Sequence, residues 1–210
     1  MADFKAVIFD CDGVLVDSEP ISNRVLVDMA NEVGANINLQ YAFNHFKGNS
    51  LKKCITLIEE LAGISSVTEF EVEFRRRSFE AFKIELEPVP GVESLIKDLK
   101  IPYCVASSGP ENKIRLNLEL TGLLKYFENN IFSCYSINKW KPDPAVFLWA
   151  ADQMKLQPSE CLIVEDSILG IQAALSGGFT VCAYNPDDDE SIENIVDFSI
   201  DSMLKLKDYL

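Results

Sequence analysis

Ala6-Val7-Ile8-Phe9-Asp10-Cys11-Asp12-Gly13 decides how this chain is read. The first four residues form an unbroken apolar run at the end of a segment, Phe4 to Phe9, that reads as a short strand. A strand apolar on both sides belongs in the middle of a parallel sheet covered on both faces. It delivers two carboxylates, Asp10 and Asp12, to its carboxyl end, where Gly13 allows the chain to turn.

Downstream the pattern changes. From about Ile21 to Leu86 the apolar period is helical: Ile21, Val25, Met29 and Val33 recur every four residues, and Cys54, Ile55, Ile58 and Leu61 make a second stripe. Phe70, Phe74, Phe79 and Phe82 mark a third helix and a fourth. This aromatic stripe reads as core rather than as a cofactor box. Pro88 and Pro90-Gly91 close the block, and strands then alternate with helices. Strands are expected at Tyr103–Ala106, Asn130–Ser133, Cys161–Val164 and Phe179–Ala183. Helices are expected at Val92–Leu99, Pro110–Leu120 (Pro in the first turn), Pro144–Met154 and Ile168–Leu175. Gly177-Gly178 ends the last of these, and a final β–α pair covers Asp197 to Leu206.

Such alternation predicts an α/β fold, a doubly wound parallel sheet, with a helical insertion after the first strand. Residues 1–16 and 88–210 form the expected core domain and residues 17–87 the expected cap. Ligands of such sheets lie beyond the carboxyl ends of the strands.

Composition narrows the function. The chain has 210 residues, 48% of them hydrophobic, and a formal net charge of −14. Nucleic-acid binders carry a basic patch or stripe, so no nucleic-acid partner is expected. Arg75-Arg76-Arg77 lies among Glu71, Glu73 and Glu80 and reads as a solvated helix face. The six cysteines are scattered without a C-x-x-C pair and there is one histidine, His45, which disfavours zinc. Their scatter suits a reducing cytoplasm. The N-terminus has no signal-peptide pattern, and no apolar run is long enough to span a bilayer. The expectation is a cytoplasmic protein without a membrane partner. The sequence does not define an oligomeric state, and a monomer is compatible with it.

Four polar clusters fall at the predicted strand edge. Asp10 and Asp12 follow the first strand, Ser107-Ser108-Gly109 the second, and Glu165-Asp166-Ser167 the fourth; Lys141 opens Lys141-Pro142-Asp143-Pro144 before the helix leading to that fourth strand. Each is a common turn or cap on its own. Their recurrence in this order is not what caps and turns explain. Phosphoryl transfer rests on positioning and electrostatics, and a carboxylate nucleophile divides one difficult step into two. That nucleophile must approach a dianion of its own sign, which a Mg²⁺ between them makes feasible. Asp10 and Asp166, on neighbouring strand ends, are the expected ligands, with a main-chain carbonyl near Asp12 as a third and Glu165 binding directly or through water. Asp12 can protonate the leaving alkoxide and then deprotonate water. Ser107, the N–H groups around Ser108 and Gly109, and Lys141 hold the phosphoryl oxygens. The acidic run Asp187-Asp188-Asp189-Glu190 reads as a solvated loop.

The segments Asp10-Cys11-Asp12-Gly13-Val14-Leu15-Val16-Asp17-Ser18-Glu19, Ser107-Ser108-Gly109, Lys141-Pro142-Asp143-Pro144 and Glu165-Asp166-Ser167-Ile168-Leu169-Gly170 resemble the four motifs of the haloacid dehalogenase superfamily. The helical insertion is similar to its C1 cap. The resemblance implies a nucleophile at Asp10, an acid/base at Asp12, phosphate contacts from Ser107, Ser108 and Lys141, and metal binding by Asp10, Asp12, Glu165 and Asp166. The β-phosphoglucomutase branch carries a cap histidine where this chain has Ser22, and an arginine where Lys47-Gly48-Asn49-Ser50 is followed by Leu51. Ser108 to Lys113 and Lys139 to Ala145 are instead similar to the branch of bacterial 6-phosphogluconate phosphatases. The resemblance thus implies a Mg²⁺-dependent sugar-phosphate phosphatase, a phosphosugar mutase being the alternative. Lys47, Gly48 and Ser50 are the expected cap contacts to substrate. Haloalkanoate dehalogenation is disfavoured, because that branch lacks an equivalent of Asp12. A receiver-type signalling domain would also form an aspartyl-phosphate, but on a later strand and without so large an insertion.

Overall fold

A computed structural model describes residues 4–46, 49–65, 69–196 and 198–210. Its contacts divide the chain into two compact units, Met1–Asp17 with Glu87–Leu210, and Ser18–Leu86.

The first unit is built on a six-stranded parallel sheet of strand order β3-β2-β1-β4-β5-β6. The strands are β1 (Ala6–Phe9), β2 (Tyr103–Ser107), β3 (Ile131–Ser133), β4 (Cys161–Glu165), β5 (Thr180–Tyr184) and β6 (Phe198–Ile200). β1 lies between β2 and β4, with Ile8 opposite both Cys104 and Ile163. Its four side chains are fully buried, as its unbroken apolar run requires. The order reverses at β1, so the crevice beyond the ends of β1, β2 and β4 is the expected ligand site of such a sheet.

Around the sheet run α5 (Val92–Asp98), α6 (Glu111–Leu120), α7 (Leu124–Phe127), α8 (Cys134–Ile137), α9 (Ala145–Gln153), α10 (Ile168–Ser176) and α11 (Glu190–Glu193), whose predecessors α1–α4 belong to the other unit. One core cluster packs Val146, Phe147 and Ala150 of α9 and Ile171, Ala173 and Ala174 of α10 against Ile8, Ala106, Ile163 and Val181 of the sheet. Where the chain leaves this unit and returns to it, Val16 bridges Pro88 and the Asp17 N–H donates to the Glu87 carbonyl.

The second unit is helical: α1 (Glu19–Glu32), α2 (Leu39–Phe46), α3 (Leu51–Ala62) and α4 (Phe70–Glu85). Val25, Leu26, Met29, Ala42, Phe46, Cys54, Ile58 and Phe70 form its core. Two details differ from the sequence reading. α2 is a separate helix that the reading did not single out. Leu39, Ala42, Phe43 and Phe46 recur at helical spacing over two turns; the helix buries Ala42 and Phe46 and leaves Leu39 and Phe43 about 40% exposed. The four phenylalanines from Phe70 to Phe82 share one helix, not two.

Smaller departures follow local geometry. Pro110 is the N-cap of α6 rather than its first-turn residue, and the C-terminal helix is a 3₁₀ helix, Met203–Tyr209. All six cysteines are free and buried, as scattered small apolar residues should be. Among the described residues no helix is long and apolar enough to cross a membrane.

Candidate active site

The carboxyl ends of β1, β2 and β4 gather the polar clusters into one place. Lys141 is the hub. Its ammonium donates to Asp10 Oδ1 at 2.6 Å, to Glu165 Oε1 at 2.6 Å and to the Ala106 carbonyl at 3.2 Å. Its side chain is 5% exposed, and the charge sits 4.7 Å from the centroid of the buried Phe147 ring. Burial works against the charge on Lys141, yet Asp10 and Glu165 outweigh it and hold the ammonium well above the ordinary lysine range.

Asp10, Glu165 and Asp166 are buried, and each offers a carboxylate oxygen within 4.8 Å of the others. Burial pushes the Asp10 carboxyl well above its usual range. Lys141 opposes that shift, while Glu165, Asp166 and Asp12 add to it by repulsion. Three carboxylates thus face one ammonium, an excess of negative charge in a dry site. An all-oxygen donor set with that excess fits a hard divalent cation such as Mg²⁺. The carboxylate of Asp12 is not in this group.

Backbone choices make the crowding possible. Glu165 Oε2 accepts from the Asp166 and Ser167 N–H groups, each at 3.0 Å, and from the Ser167 hydroxyl at 2.9 Å. Ser167 also caps α10 by accepting from the Gly170 N–H at 3.1 Å. A Cβ on Gly170 would stand 1.9 Å from Glu165 Oε1, so only glycine leaves that carboxylate its place. Gly13, at φ +81°, brings the turn after β1 against Asp166, where a Cβ would lie 2.4 Å from Oδ2.

Asp12 turns toward the second cluster. Lys113 Nζ donates to both of its carboxylate oxygens at 2.8 Å, and Asn117 Nδ2 donates to Oδ1 at 3.4 Å. Ser107, at the end of β2, is buried and accepts from the Gly109 N–H at 3.0 Å. Ser133 at the end of β3 donates to the Gly109 carbonyl at 2.7 Å, steadying the same loop. Ser108 is exposed, and its hydroxyl accepts from the Cys134 thiol at 4.0 Å.

Asp10, Asp12, Ser107, Ser108, Lys141, Glu165 and Asp166 therefore meet at one sheet edge. Ser50 lies in the helical unit, exposed, as the N-cap of α3, where it accepts from the Lys53 N–H at 3.4 Å. Lys47 and Gly48 lie outside the described residues. The sequence reading assigned no role to Lys113 or Asn117. Their spacing of four on one helix was a usable signal, but nothing local pointed to Asp12. Asp187 to Glu190 are exposed, and Asp189 caps α11 by accepting from the Ser191 N–H.

A family model described as haloacid dehalogenase-like hydrolase matches residues 4–178. The chain is 37% identical over 188 residues to the 6-phosphogluconate phosphatase of Escherichia coli, covering 89% of this chain and 85% of that one. It is 29% identical to hexitol phosphatase A of the same organism, covering 95% and 91% of the two chains. Among solved structures, a haloacid dehalogenase-like protein of unknown function from Agrobacterium tumefaciens superposes with a TM-score of 0.87 at 27% identity, covering 98% of this chain and 97% of that one.

Proposed function

The chain belongs to the haloacid dehalogenase-like hydrolases and is a phosphatase, and on that premise we propose that it hydrolyses a small sugar phosphate, such as 6-phosphogluconate, through an aspartyl-phosphate on Asp10. The observation that carries this reading is the hub at Lys141, one buried cation bonded to both Asp10 and Glu165. It holds the proposed nucleophile in place beside a cation that a phosphoryl oxygen can share.

In the first half-reaction an Asp10 oxygen forms a bond to phosphorus as the bond to the sugar oxygen breaks. The proton of Asp12 goes to the departing alkoxide. In the second, a water oxygen bonds to phosphorus, its proton passes to Asp12, the acyl-phosphate bond breaks, and Asp10 is restored. Ser107, the backbone N–H groups of the Ser108–Gly109 loop and Lys141 bind the equatorial oxygens, whose charge is spread in the transition state. Asp10, Asp166 and Glu165, with the Asp12 main chain, would hold Mg²⁺, which when bound offsets the repulsion between carboxylate and phosphate. The choice of sugar is assigned to the helical unit, through Lys47, Gly48 and Ser50. The proposed setting is cytoplasmic.

The test is phosphate release over a panel of phosphomonoesters, including 6-phosphogluconate, hexitol phosphates, 2-deoxyglucose 6-phosphate and nucleotides, with Mg²⁺ and with chelator. Continuous release from sugar phosphates, silenced by chelation, is expected. Conversion of β-glucose 1-phosphate into glucose 6-phosphate without free phosphate would replace the phosphatase by a mutase.

A further inference from the structure

We propose that Lys113 and Asn117 of α6 are positioning residues for Asp12, a clamp that aims its carboxylate at the leaving-group oxygen. The inference rests on the acid/base role of Asp12 proposed above and extends it to residues outside the four motif segments.

Lys113 reaches both oxygens of Asp12 at the same distance, 2.8 Å. A cation placed symmetrically across a carboxylate fixes the direction in which the group points, and the Asn117 amide, which donates to Oδ1 alone, opposes its rotation about that axis. The contact is largely withdrawn from solvent, with side chains 19% and 21% exposed, so water does not screen it as it screens a surface pair. The Lys113 stem lies beside the Gly109 loop, where the ideal Cβ position of Gly109 is 3.6 Å from Lys113 Cδ and 3.7 Å from Asp12 Oδ2. Asp12 and the phosphate-binding loop are thus held against the same helix.

Asn117 supplies an independent observation. It is fully buried on α6, one turn beyond Lys113. Its Nδ2 donates to Asp12, while its Oδ1 is buried without a hydrogen-bond partner among the described residues. An unmade interior hydrogen bond lowers stability, and an apolar side chain of similar size would avoid the loss. A local sacrifice of stability beside a reacting group marks a side chain kept for what it does to that group. Here that group is Asp12.

The experiment compares leaving groups in the full-length enzyme with Mg²⁺. p-Nitrophenolate departs without needing a proton, whereas a sugar alkoxide requires one. Lys113→Met is expected to keep a burst of p-nitrophenolate close to one per enzyme, followed by turnover slowed about 10- to 100-fold, because water activation also uses Asp12. With a sugar phosphate the same variant should slow by a similar factor in a single turnover, with no burst of the alcohol. Lys113→Arg should recover part of both rates. Asn117→Leu should show the same pattern, more weakly, with a melting temperature equal to or above that of the wild type.

A variant that lowers burst amplitude and both substrates alike, with a lower melting temperature, would reduce Lys113 to a structural residue and overturn the proposal. So would an unchanged or faster enzyme. Asp12→Asn separates the two levels. If it too retains full reactivity toward sugar phosphates, the acid/base reading itself fails. If it keeps the p-nitrophenolate burst and loses that of the sugar alcohol while Lys113→Met does not, only the clamp fails.

Discussion

The strand-end site of the sheet unit and helix α4 of the helical unit use the same charged residue types in opposite ways. At the strand ends of the sheet unit, charges are withdrawn from water and paired across the chain: Lys141 with Asp10 over 131 positions, Lys113 with Asp12 over 101. In the helical unit they are exposed and mostly local. Arg75 pairs with Glu71, Arg76 and Arg77 with Glu73, and Lys83 with Glu80, each three or four residues apart on α4. Buried ion pairs contribute little to net stability, because desolvation offsets attraction, yet removing one partner is costly. Exposed helical pairs cost little to lose. The difference teaches where to look for chemistry. A charge held out of water by distant segments is there for reactivity, whereas a charge on a helix face supports the helix and its solubility.

The sharpest way to break this contrast is Asp10→Asn. It replaces one oxygen of the proposed nucleophile by an amide of nearly the same shape. Phosphate release should fall by about 10⁴-fold or more, to background, with circular dichroism and thermal melting close to wild type. Full activity with Mg²⁺ present would remove Asp10 from the mechanism.

Gly170→Ala asks for less. The added methyl must displace the Glu165 carboxylate, which sits 1.9 Å from where it would go. A shift of about 1 Å in a reacting constellation costs roughly 10²-fold, so phosphate release should drop by that order while α10 persists. Retention of the wild-type rate would mean that Glu165 has room to move without consequence.

Glu73→Gln is the smallest and belongs to the helical unit. Hydrogen bonds from Arg76 and Arg77 hold the Glu73 carboxyl down at about 2. A depressed carboxylate stabilises the folded chain above its unfolded pKa, near 4.5, and that contribution fades as pH falls toward 2. Because the group is exposed, the effect is small and should be erased by added salt. Melting curves of wild type and variant should therefore differ slightly at pH 6, converge near pH 2, and coincide in high salt. Hydrolysis of p-nitrophenyl phosphate should be unchanged. A large loss of activity would end the separation between structural and chemical charges.

Much of the fold was legible because its signals are local. The run Ala6 to Phe9, bounded by a turn, read as a strand covered on both faces, and the stripe Ile21, Val25, Met29 read as a helix with one buried side. α2 carried a helical signal of its own in Leu39, Ala42, Phe43 and Phe46, but it spans only two turns and was absorbed into the longer helical block. The site was legible as far as its residues sit at strand ends. Asp10, Ser107, Glu165 and Asp166 follow from the parallel alternation, because such sheets present their carboxyl ends to ligands.

The sequence by itself therefore determined the layers, the strand ends and the chemical types gathered there, because hydrophobic period and turn residues act within a few positions of one another. Only the tertiary structure decided which charge meets which. It set β1 between β2 and β4, tied Lys141 to two carboxylates at once, and turned Asp12 away from the buried carboxylates toward Lys113 and Asn117. The reason is physical: Coulomb attraction and hydrogen bonding depend on distances of a few ångströms and on exclusion of water, and neither is a property of separation along the chain.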